Sequence, residues 1–271
     1  MKLAASNIGL TAFDHLDDFH GLAGMGLTGL EVSPSRAWED WWRGLRPATV
    51  DVYRRAAESA GLQIVGLHTL FWRQPDLGLF RASDAREQTL DYLTHMSRLC
   101  ADLGGRSLVF GSGRARLRGN LSLDDAVAET IRFFSELAPR IENHGTCFAF
   151  EALGGQDSDF LNSVAEALRV VEGLDSPIMK THLDAKALVQ AGEVNAGTFA
   201  RAQATAVHFH ANEPDLGVLS RNGEVDHATM GRLLRGIGYD EFVSIEQRMV
   251  NEDDPLSDLA LSAGVLRECY G

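Results

Sequence analysis

The sequence predicts a single-domain (β/α)8 TIM barrel that spans residues 1–271. First, a chain of 271 residues that is 45% hydrophobic can bury one large core without a second domain. Second, short apolar runs alternate eight times with segments of helical periodicity. Third, the loop after the first run, SNIGLTAF, lacks the glycine-rich turn with which an open doubly wound sheet binds phosphate. A closed barrel is therefore favoured over an open sheet.

The predicted strands are apolar runs such as KLAASN, LTGLEVS, LQIVGLHTL and RSLVFG, followed by four more in the second half of the chain. In chain order they end at Asn7, Ser33, Leu70, Gly111, Glu151, Asp184, His210 and Glu246. The predicted helices cover residues 14–24, 48–60, 84–103, 122–143, 163–173, 194–202, 227–236 and 255–268. Glycine tolerates the positive φ found at helix C-termini, and it follows or closes several of these segments, at Gly24, Gly61, Gly104, Gly145, Gly173 and Gly238.

The last four apolar runs each end on a potential metal ligand. CFAFE ends on Glu151, IMKTHLD on Asp184, AVHFH on His210 and FVSIE on Glu246. Because the carboxyl ends of barrel strands meet at one mouth, where barrel enzymes carry their active sites, these side chains are expected to lie together.

Strand parity supports the same grouping, since alternate side chains of a barrel strand face the interior and the helix layer. In CFAFE the two phenylalanines would face the helices, while Cys147, Ala149 and Glu151 would point inward. The same parity places these residues inward: His68, His182, Asp184, Lys186, His208, His210, Ser244, Glu246 and Arg248. His208, two residues before His210 on the same face, either supports the metal ligand His210 or fills the barrel interior, and we favour filling.

Taken singly, a glutamate after a strand is usually a helix cap or a surface charge, and a lone histidine usually fills space. Three carboxylates at one mouth are different, because like charges raise one another's pKa unless a cation compensates them. The set therefore predicts one divalent metal ion held by Glu151, Asp184, His210 and Glu246. Oxygen-rich ligands favour Mn²⁺, with Mg²⁺, Co²⁺ or Zn²⁺ as alternatives.

Composition excludes several other classes of protein. The formal net charge of −13 and the pI of about 5.1 disfavour binding to nucleic acid and suit a small neutral or keto-type substrate. Cys100, Cys147 and Cys269 form no C-x-x-C pair, so neither a disulfide framework nor a thiolate zinc site is indicated. The sequence shows no secretory signal and no membrane span, and a cytoplasmic protein is expected.

The order Glu, Asp, His, Glu on the last four strands, with the phrases GLEVS, GLHTL, DFLNS, HFHANEP and SIE, resembles the xylose isomerase-like TIM-barrel superfamily. Within it, the chain is most similar to the D-tagatose/D-psicose 3-epimerase and sugar-phosphate isomerase/epimerase group. The resemblance implies a keto-sugar or polyol substrate and proton transfer through an enediolate between Glu151 and Glu246. It also places Asp157 where those epimerases have a further glutamate near the substrate. Barrels of this superfamily often form homo-oligomers.

Two departures from the epimerase pattern leave other reactions open. Those epimerases have a histidine and an arginine where this chain has Ala187 and Leu216. Lys186 and Arg248 could supply a replacement cation or could pair with the carboxylates. The alternatives are a lyase of the inosose dehydratase or C-glycoside-cleaving kind, a non-catalytic barrel subunit and an endonuclease IV-like enzyme. The last of these fits poorly, because FGSGR lacks a histidine and the net charge is unfavourable.

The loops after the strands add residues that could meet a substrate. His68 and Trp72 are predicted to bind it, and the other aromatic residues nearby either pack the loops or stack on a sugar or aglycone: Trp38, Trp41, Trp42 and Phe71. The loop after the fourth strand carries Arg114, Arg116 and Arg118. These side chains could bind a phosphate or carboxylate of a substrate or could be solvent-exposed, and the loop could act as a lid over the site.

Overall fold

Eight parallel strands pair in chain order, and the last pairs with the first to close a barrel. The computed structural model describes all residues from 1 to 271. The strands are β1 Lys2–Ser6, β2 Gly29–Val32, β3 Gln63–Leu67, β4 Ser107–Phe110, β5 Cys147–Glu151, β6 Met179–Asp184, β7 Ala206–Ala211 and β8 Phe242–Ile245. The predicted fold class is therefore confirmed.

Ten α-helices surround or follow the strands. They are α1 Phe19–Gly24, α2 Pro34–Ala37, α3 Pro47–Ser59, α4 Ser83–Asp102, α5 Leu123–Ile141, α6 Val164–Leu174, α7 Ala185–Gln190, α8 Ala196–Ala202, α9 His227–Gly236 and α10 Pro255–Tyr270. All eight predicted helices exist, although the first begins at Phe19 and not at residue 14. The short helices α2 and α7 were not predicted.

Some predicted ends of elements are wrong for identifiable reasons. The third strand was predicted to reach Leu70 but ends at Leu67, and Thr69 has a left-handed backbone, with φ of 51°. Gly24 is the last residue of α1 and Gly173 the last but one of α6, close to the predicted helix ends, but neither glycine has the expected positive φ. The left-handed positions fall instead on Gly26, with φ of 83°, and on Asp175, with φ of 43°. The other four glycines have the expected positive φ: Gly61, Gly104, Gly145 and Gly238.

One glycine is required where two strands approach closely. A Cβ atom on Gly66 of β3 would lie 2.0 Å from the backbone oxygen of Ser107 on β4. Any larger residue there would push the two strands apart, so this glycine permits the pairing of β3 with β4.

The barrel interior changes character along its axis. A cluster of 67 buried residues fills the layer between the strands and the helices. Ala4, Val65 and Phe242 form a separate apolar plug inside the barrel, and Phe242 begins β8. Towards the carboxyl ends the interior becomes polar, which is unusual because barrel interiors are dominated by branched apolar residues. The fully buried polar side chains there include Glu31, His182, His208 and Ser244. None of the ten helices combines the length and the hydropathy that a membrane span requires.

Candidate active site

The four residues predicted as metal ligands converge at the carboxyl end of the barrel. The Nδ1 atom of His210 lies 3.7 Å from Oε1 of Glu151 and 3.8 Å from Oδ2 of Asp184. It also lies 3.5 Å from Oε2 of Glu246. We call these four residues the ligand cluster.

Backbone structure fixes where each member of the ligand cluster sits. Glu151 and Asp184 are the last residues of β5 and β6, and His210 lies in β7. Glu246 follows β8, and its backbone N–H donates to Ala211 on β7 at 3.0 Å. Because the four residues belong to neighbouring strands or strand ends, the barrel itself brings them together.

The orientation of His210 is set by the carboxylate of Glu31, which the strand-end pattern of the sequence does not predict as part of the site. The Nε2 atom of His210 is 3.0 Å from both carboxylate oxygens of Glu31, and the hydroxyl of Ser244 donates to the same carboxylate at 2.8 Å. With one proton held on Nε2 by Glu31, loss of a proton from Nδ1 would leave the Nδ1 lone pair facing the other carboxylates. That Nδ1 atom is buried and has no hydrogen-bond partner. A carboxylate behind a histidine in this way is typical of a metal ligand.

The charges of the ligand cluster also fit a cation. Burial, together with the nearby charges of Glu151 and Glu246, raises the pKa of Asp184 to about 8. Burial alone would lower the pKa of His210, but the carboxylates of Glu31 and Glu246 raise it well above its ordinary value. The protein without metal therefore holds protons among these carboxylates, and a divalent ion would replace them. The donor set thus fits a divalent metal.

The two glutamates of the ligand cluster differ from Asp184 in their protonation. Burial raises the pKa of Glu151, but the neighbouring imidazoles of His182 and His210 outweigh burial and hold the pKa below its ordinary value. For Glu246 burial is likewise outweighed, first by the charge on His210, and the pKa is lowered. Both glutamates are therefore carboxylates near neutral pH.

His182 is a further residue of the site. Strand parity predicts that it points into the barrel, but the sequence indicates no catalytic or metal-binding role for it. Its Nε2 atom is 3.4 Å from Oε1 of Glu151, and both of its ring nitrogens are buried without a hydrogen-bond partner. Burial and the charge on His210 lower the pKa of His182 to about 4, so the imidazole is neutral near pH 7. One ligand atom from each of Glu151, His182, Asp184 and His210 lies within 4.8 Å of the others. His208, interpreted as filling, is fully buried and lies 3.0 Å from Glu31.

Asn212 ties two members of the ligand cluster together and was also missed. Its side-chain amide donates to Oδ2 of Asp184 at 2.6 Å and to Oε2 of Glu246 at 2.8 Å. Its side-chain oxygen accepts from the backbone N–H of Lys186 at 2.9 Å. The sequence carried two signals for the missed residues. Glu31 is a lone charge within the apolar run LEV, and Asn212 lies two residues after His210.

A cavity of about 760 Å³ opens over the ligand cluster. Of the predicted substrate-binding residues, His68, Trp72, Asp157 and Lys186 line it. His68 is buried, with Nε2 hydrogen-bonded to Ser6 at 2.5 Å and Nδ1 at 3.5 Å from Glu246. The ammonium of Lys186 lies 3.0 Å from Oδ2 of Asp157, so the two side chains pair at the cavity wall.

Strand parity gave the wrong local structure for Lys186 and Arg248. Parity requires a continuing strand, but β6 ends at Asp184 and β8 ends at Ile245. Lys186 reaches the cavity from helix α7. Arg248 is exposed and lies outside the cavity lining, and its backbone N–H donates to Leu216 at 2.8 Å.

The aromatic loop residues divide into packing and cavity-facing sets. Trp38 and Trp41 are buried in the core, and the indole N–H of Trp41 donates to the hydroxyl of Tyr92 at 2.9 Å. The ring of Trp42 packs edge-on against Tyr92, with ring centroids 4.8 Å apart. Phe71, although buried, lines the cavity together with Trp72.

The three arginines after β4 also differ from one another. Arg116 is fully buried and donates to the backbone oxygen of Glu151 at 2.6 Å, so it supports the end of β5. Arg118 donates to the backbone oxygen of Asp159 at 2.8 Å. Only Arg114 of the three lines the cavity.

The chain belongs to the xylose isomerase-like TIM barrel family, whose family model matches residues 19–269. Among solved structures it resembles D-psicose 3-epimerase from Clostridium cellulolyticum H10, solved with D-tagatose, with a TM-score of 0.82 and 16% identity over 100% of this chain and 99% of that one. It also resembles 3-keto-D-glucoside 4-epimerase from E. coli, with a TM-score of 0.81 and 20% identity over 99% of this chain and 100% of that one.

An L-ribulose 3-epimerase gives a TM-score of 0.80 at 18% identity, covering 100% of this chain and 95% of that one. At these identities the likeness establishes the shared fold. No curated protein sequence matches the chain significantly.

Proposed function

We propose that this protein is an isomerase or epimerase of a keto-sugar or related polyol, dependent on one divalent metal ion, with Mn²⁺ favoured. The observation that carries the proposal is the buried Nδ1 atom of His210, which has no hydrogen-bond partner and faces three carboxylates 3.5–3.8 Å away. The names of the structural neighbours support the substrate class, since those proteins are epimerases of keto-sugars and of a keto-glucoside.

Glu151, Asp184, His210 and Glu246 would hold the ion. A divalent ion there supplies Lewis-acid stabilisation of the negative charge that develops when a proton leaves a carbon next to a carbonyl. Glu151 and Glu246 are ionised near neutral pH and come from the non-adjacent strands β5 and β8. One would remove the substrate proton and the other would return it at the opposite face. His182 would hold the carboxylate of Glu151 in place.

We assign the replacement cation to Lys186 and not to Arg248. Lys186 lines the cavity, and pairing with Asp157 and proximity to Asp184 and Glu246 outweigh burial and raise its pKa, so it stays an ammonium ion. It would donate a hydrogen bond to a substrate oxygen where the related epimerases use the histidine and arginine that this chain lacks. Asp157 would hold the ammonium in position.

The lyase reaction is the second candidate, because Ala187 and Leu216 both line the cavity. The same proton removal would start it, and loss of water or an aglycone would replace return of the proton. A change in substrate mass separates this outcome from isomerisation, which leaves the mass unchanged in ordinary water.

Proton exchange tests the proposal directly. The Mn²⁺-loaded protein is incubated in heavy water with a panel of ketoses and keto-glycosides, and deuterium next to the carbonyl is measured by mass spectrometry and NMR. Exchange is expected in the wild type, with a loss of about 10²-fold or more in Glu151→Gln and Glu246→Gln. Glu142→Gln, an exposed change outside the cavity, is the matched control. The absence of exchange on every member would contradict the proposal.

A further inference from the structure

The cavity over the ligand cluster has polar and apolar residues in its lining. The carboxylates of Glu151, Asp184 and Glu246 belong to the polar part. The apolar part includes Trp72, which is 64% exposed, and Leu153 and Leu216, which are both half-buried. These three residues, from the loops after β3, β5 and β7, are together with Ala187 of α7 what we call the apolar wall. A large aromatic side chain that faces an open cavity commonly marks a contact for a ligand.

The apolar wall coincides with the two departures from the epimerase pattern. Ala187 and Leu216 stand where the related epimerases have a histidine and an arginine, and the structure places both in the cavity lining. A sugar hydroxyl packed against these apolar side chains would lose its hydrogen bonds to water and gain none from those side chains. An apolar group at the same place would bury its own surface and that of the wall. The wall therefore favours a less polar ligand than a free ketose.

Two of the loops that carry the apolar wall contain left-handed non-glycine residues. Thr69 and Arg73, on either side of Trp72, have φ of 51° and 60°, and the backbone N–H of Trp72 donates to Thr69 at 3.0 Å. Leu216 has φ of 55°, and its N–H donates to Glu213 at 2.9 Å. Left-handed non-glycine residues persist where the surrounding structure enforces them, often at ligand-binding sites. Two separate loops thus present apolar groups to one cavity.

We propose that the apolar wall binds an apolar, preferentially aromatic, substituent on the sugar, so that the substrate is an aryl glycoside or similarly substituted keto-sugar. The inference rests on the proposed function for the sugar part alone. A cavity of about 760 Å³ falls within the range that encloses ligands of drug size. The sugar would lie over the ligand cluster, and the substituent would lie between Trp72, Leu153 and Leu216.

Binding of unreactive probes tests the proposal without turnover. Phenyl and methyl β-D-glucopyranoside are titrated into the Mn²⁺-loaded protein by calorimetry, with the same pair of β-D-galactopyranosides as a second sugar. The phenyl compound of a pair is expected to bind at least tenfold more tightly than the methyl compound. Trp72→Ala should reduce this ratio to about threefold or less, whereas Leu261→Ala, a matched change at a residue 63% exposed on α10, should leave it unchanged.

Leu216→Arg gives an independent test because it restores the residue of the epimerases at the wall. This variant should weaken binding of the phenyl glycosides and leave the methyl glycosides unaffected or bound more tightly. Circular dichroism establishes that each variant is folded. Equal affinities for the phenyl and methyl compounds, or no binding of either in both pairs, would overturn the proposal. A preference for phenyl without deuterium exchange on any ketose or keto-glycoside would instead overturn the proposed function and leave the apolar wall as a binding site.

Discussion

At the scale of single residues, Glu31 determines how His210 can act. The carboxylate is fully buried, which is costly for a charge without partners, and its partners are His210, His208 and the hydroxyl of Ser244. By accepting the Nε2 proton of His210 it fixes the tautomer that leaves Nδ1 free for a metal ion.

Glu31→Gln should therefore weaken metal binding although Glu31 is not a ligand. An amide can keep a contact with Nε2 but carries no charge to raise the basicity of the imidazole. We expect the dissociation constant for Mn²⁺ to rise about 10–100-fold, measured by calorimetry. Glu31→Asp should have a smaller effect, and the exposed Glu142→Gln should have none. An unchanged affinity in a folded Glu31→Gln protein would argue against this role.

A substitution at Gly111, which is not a predicted metal ligand, would also displace one of the predicted ligands, Glu151. A Cβ atom at Gly111 would lie 1.5 Å from Oε2 of Glu151, so alanine would displace that carboxylate. The φ of Gly111 is outside the left-handed region, and alanine costs nothing there in backbone strain. Gly111→Ala is expected to lose metal affinity at least tenfold in a calorimetric titration while the protein stays folded. Gly264→Ala, with open space around the added Cβ, serves as the control and should bind metal normally.

At the scale of elements, the sequence predicted the long helices and also the short helix α8, but it did not predict the short helices α2 and α7. Helix α5, with 19 residues, shows clear apolar periodicity and an acidic first turn. Helix α7 has six residues, too few for periodicity to appear, and it begins directly at the end of β6. Asp184 serves both elements, because it ends β6 and its carboxylate accepts from the backbone N–H of Ala187 at 2.8 Å as the N-cap of α7. The position of Asp184 at a strand end gave no sign that it also caps a helix, so Lys186 was assigned to a continuing strand β6 and not to α7.

Helix α5 allows a test of local stability that leaves the site untouched. The hydroxyl of Ser122 accepts from the backbone N–H of Asp125 at 3.1 Å and satisfies one of the free donors of the first turn. Ser122→Ala should lower the free energy of unfolding by about 1 kcal/mol, measured by urea denaturation. The matched change Ser59→Ala, near the end of α3, should stay within about 0.5 kcal/mol of wild type, and both variants should retain metal affinity. A loss in Ser59→Ala equal to that in Ser122→Ala would exclude capping as the cause.

At the scale of the whole molecule, topology explains which parts of the site could be predicted. Residues at strand ends meet because the barrel closes, so the convergence of Glu151, Asp184, His210 and Glu246 could be predicted from chain order and strand parity. Glu31 lies on β2, and its hydrogen bond to His210 joins residues 179 positions apart across the barrel interior. Such a contact depends on register and depth and not on any local pattern. The position of Trp72 and Leu216 in the lining of one cavity could not be predicted either, because left-handed residues within each loop set the path of that loop.

The protons held by the ligand cluster make the stability of the molecule depend on pH and metal together. The pKa of Asp184 is raised from 3.8 to about 8, and that of His210 is raised well above 6.5. Asp184 between pH 3.8 and about 8, and His210 above pH 6.5, each keep a proton in the folded protein without metal that the same side chain has lost in the unfolded chain. The stability of the protein without metal therefore decreases as pH rises from about 6.5 towards 8. The same protons compete with a metal ion, so the affinity for the ion should increase over this interval.

Thermal unfolding with and without Mn²⁺ tests this linkage. A ligand that binds the folded state stabilises it by RT ln(1 + [L]/Kd), so a lower Kd at higher pH gives a larger rise in Tm. We expect the rise on adding a fixed concentration of Mn²⁺ to be clearly greater at pH 8 than at pH 6.5, and proton release on binding to show in calorimetry as a heat that depends on the buffer. Asp184→Asn should abolish most of the rise at both pH values, whereas Asp240→Asn, an exposed carboxylate outside the cavity, should leave it intact. An equal rise in Tm at the two pH values would show that protons and metal do not compete for the ligand cluster.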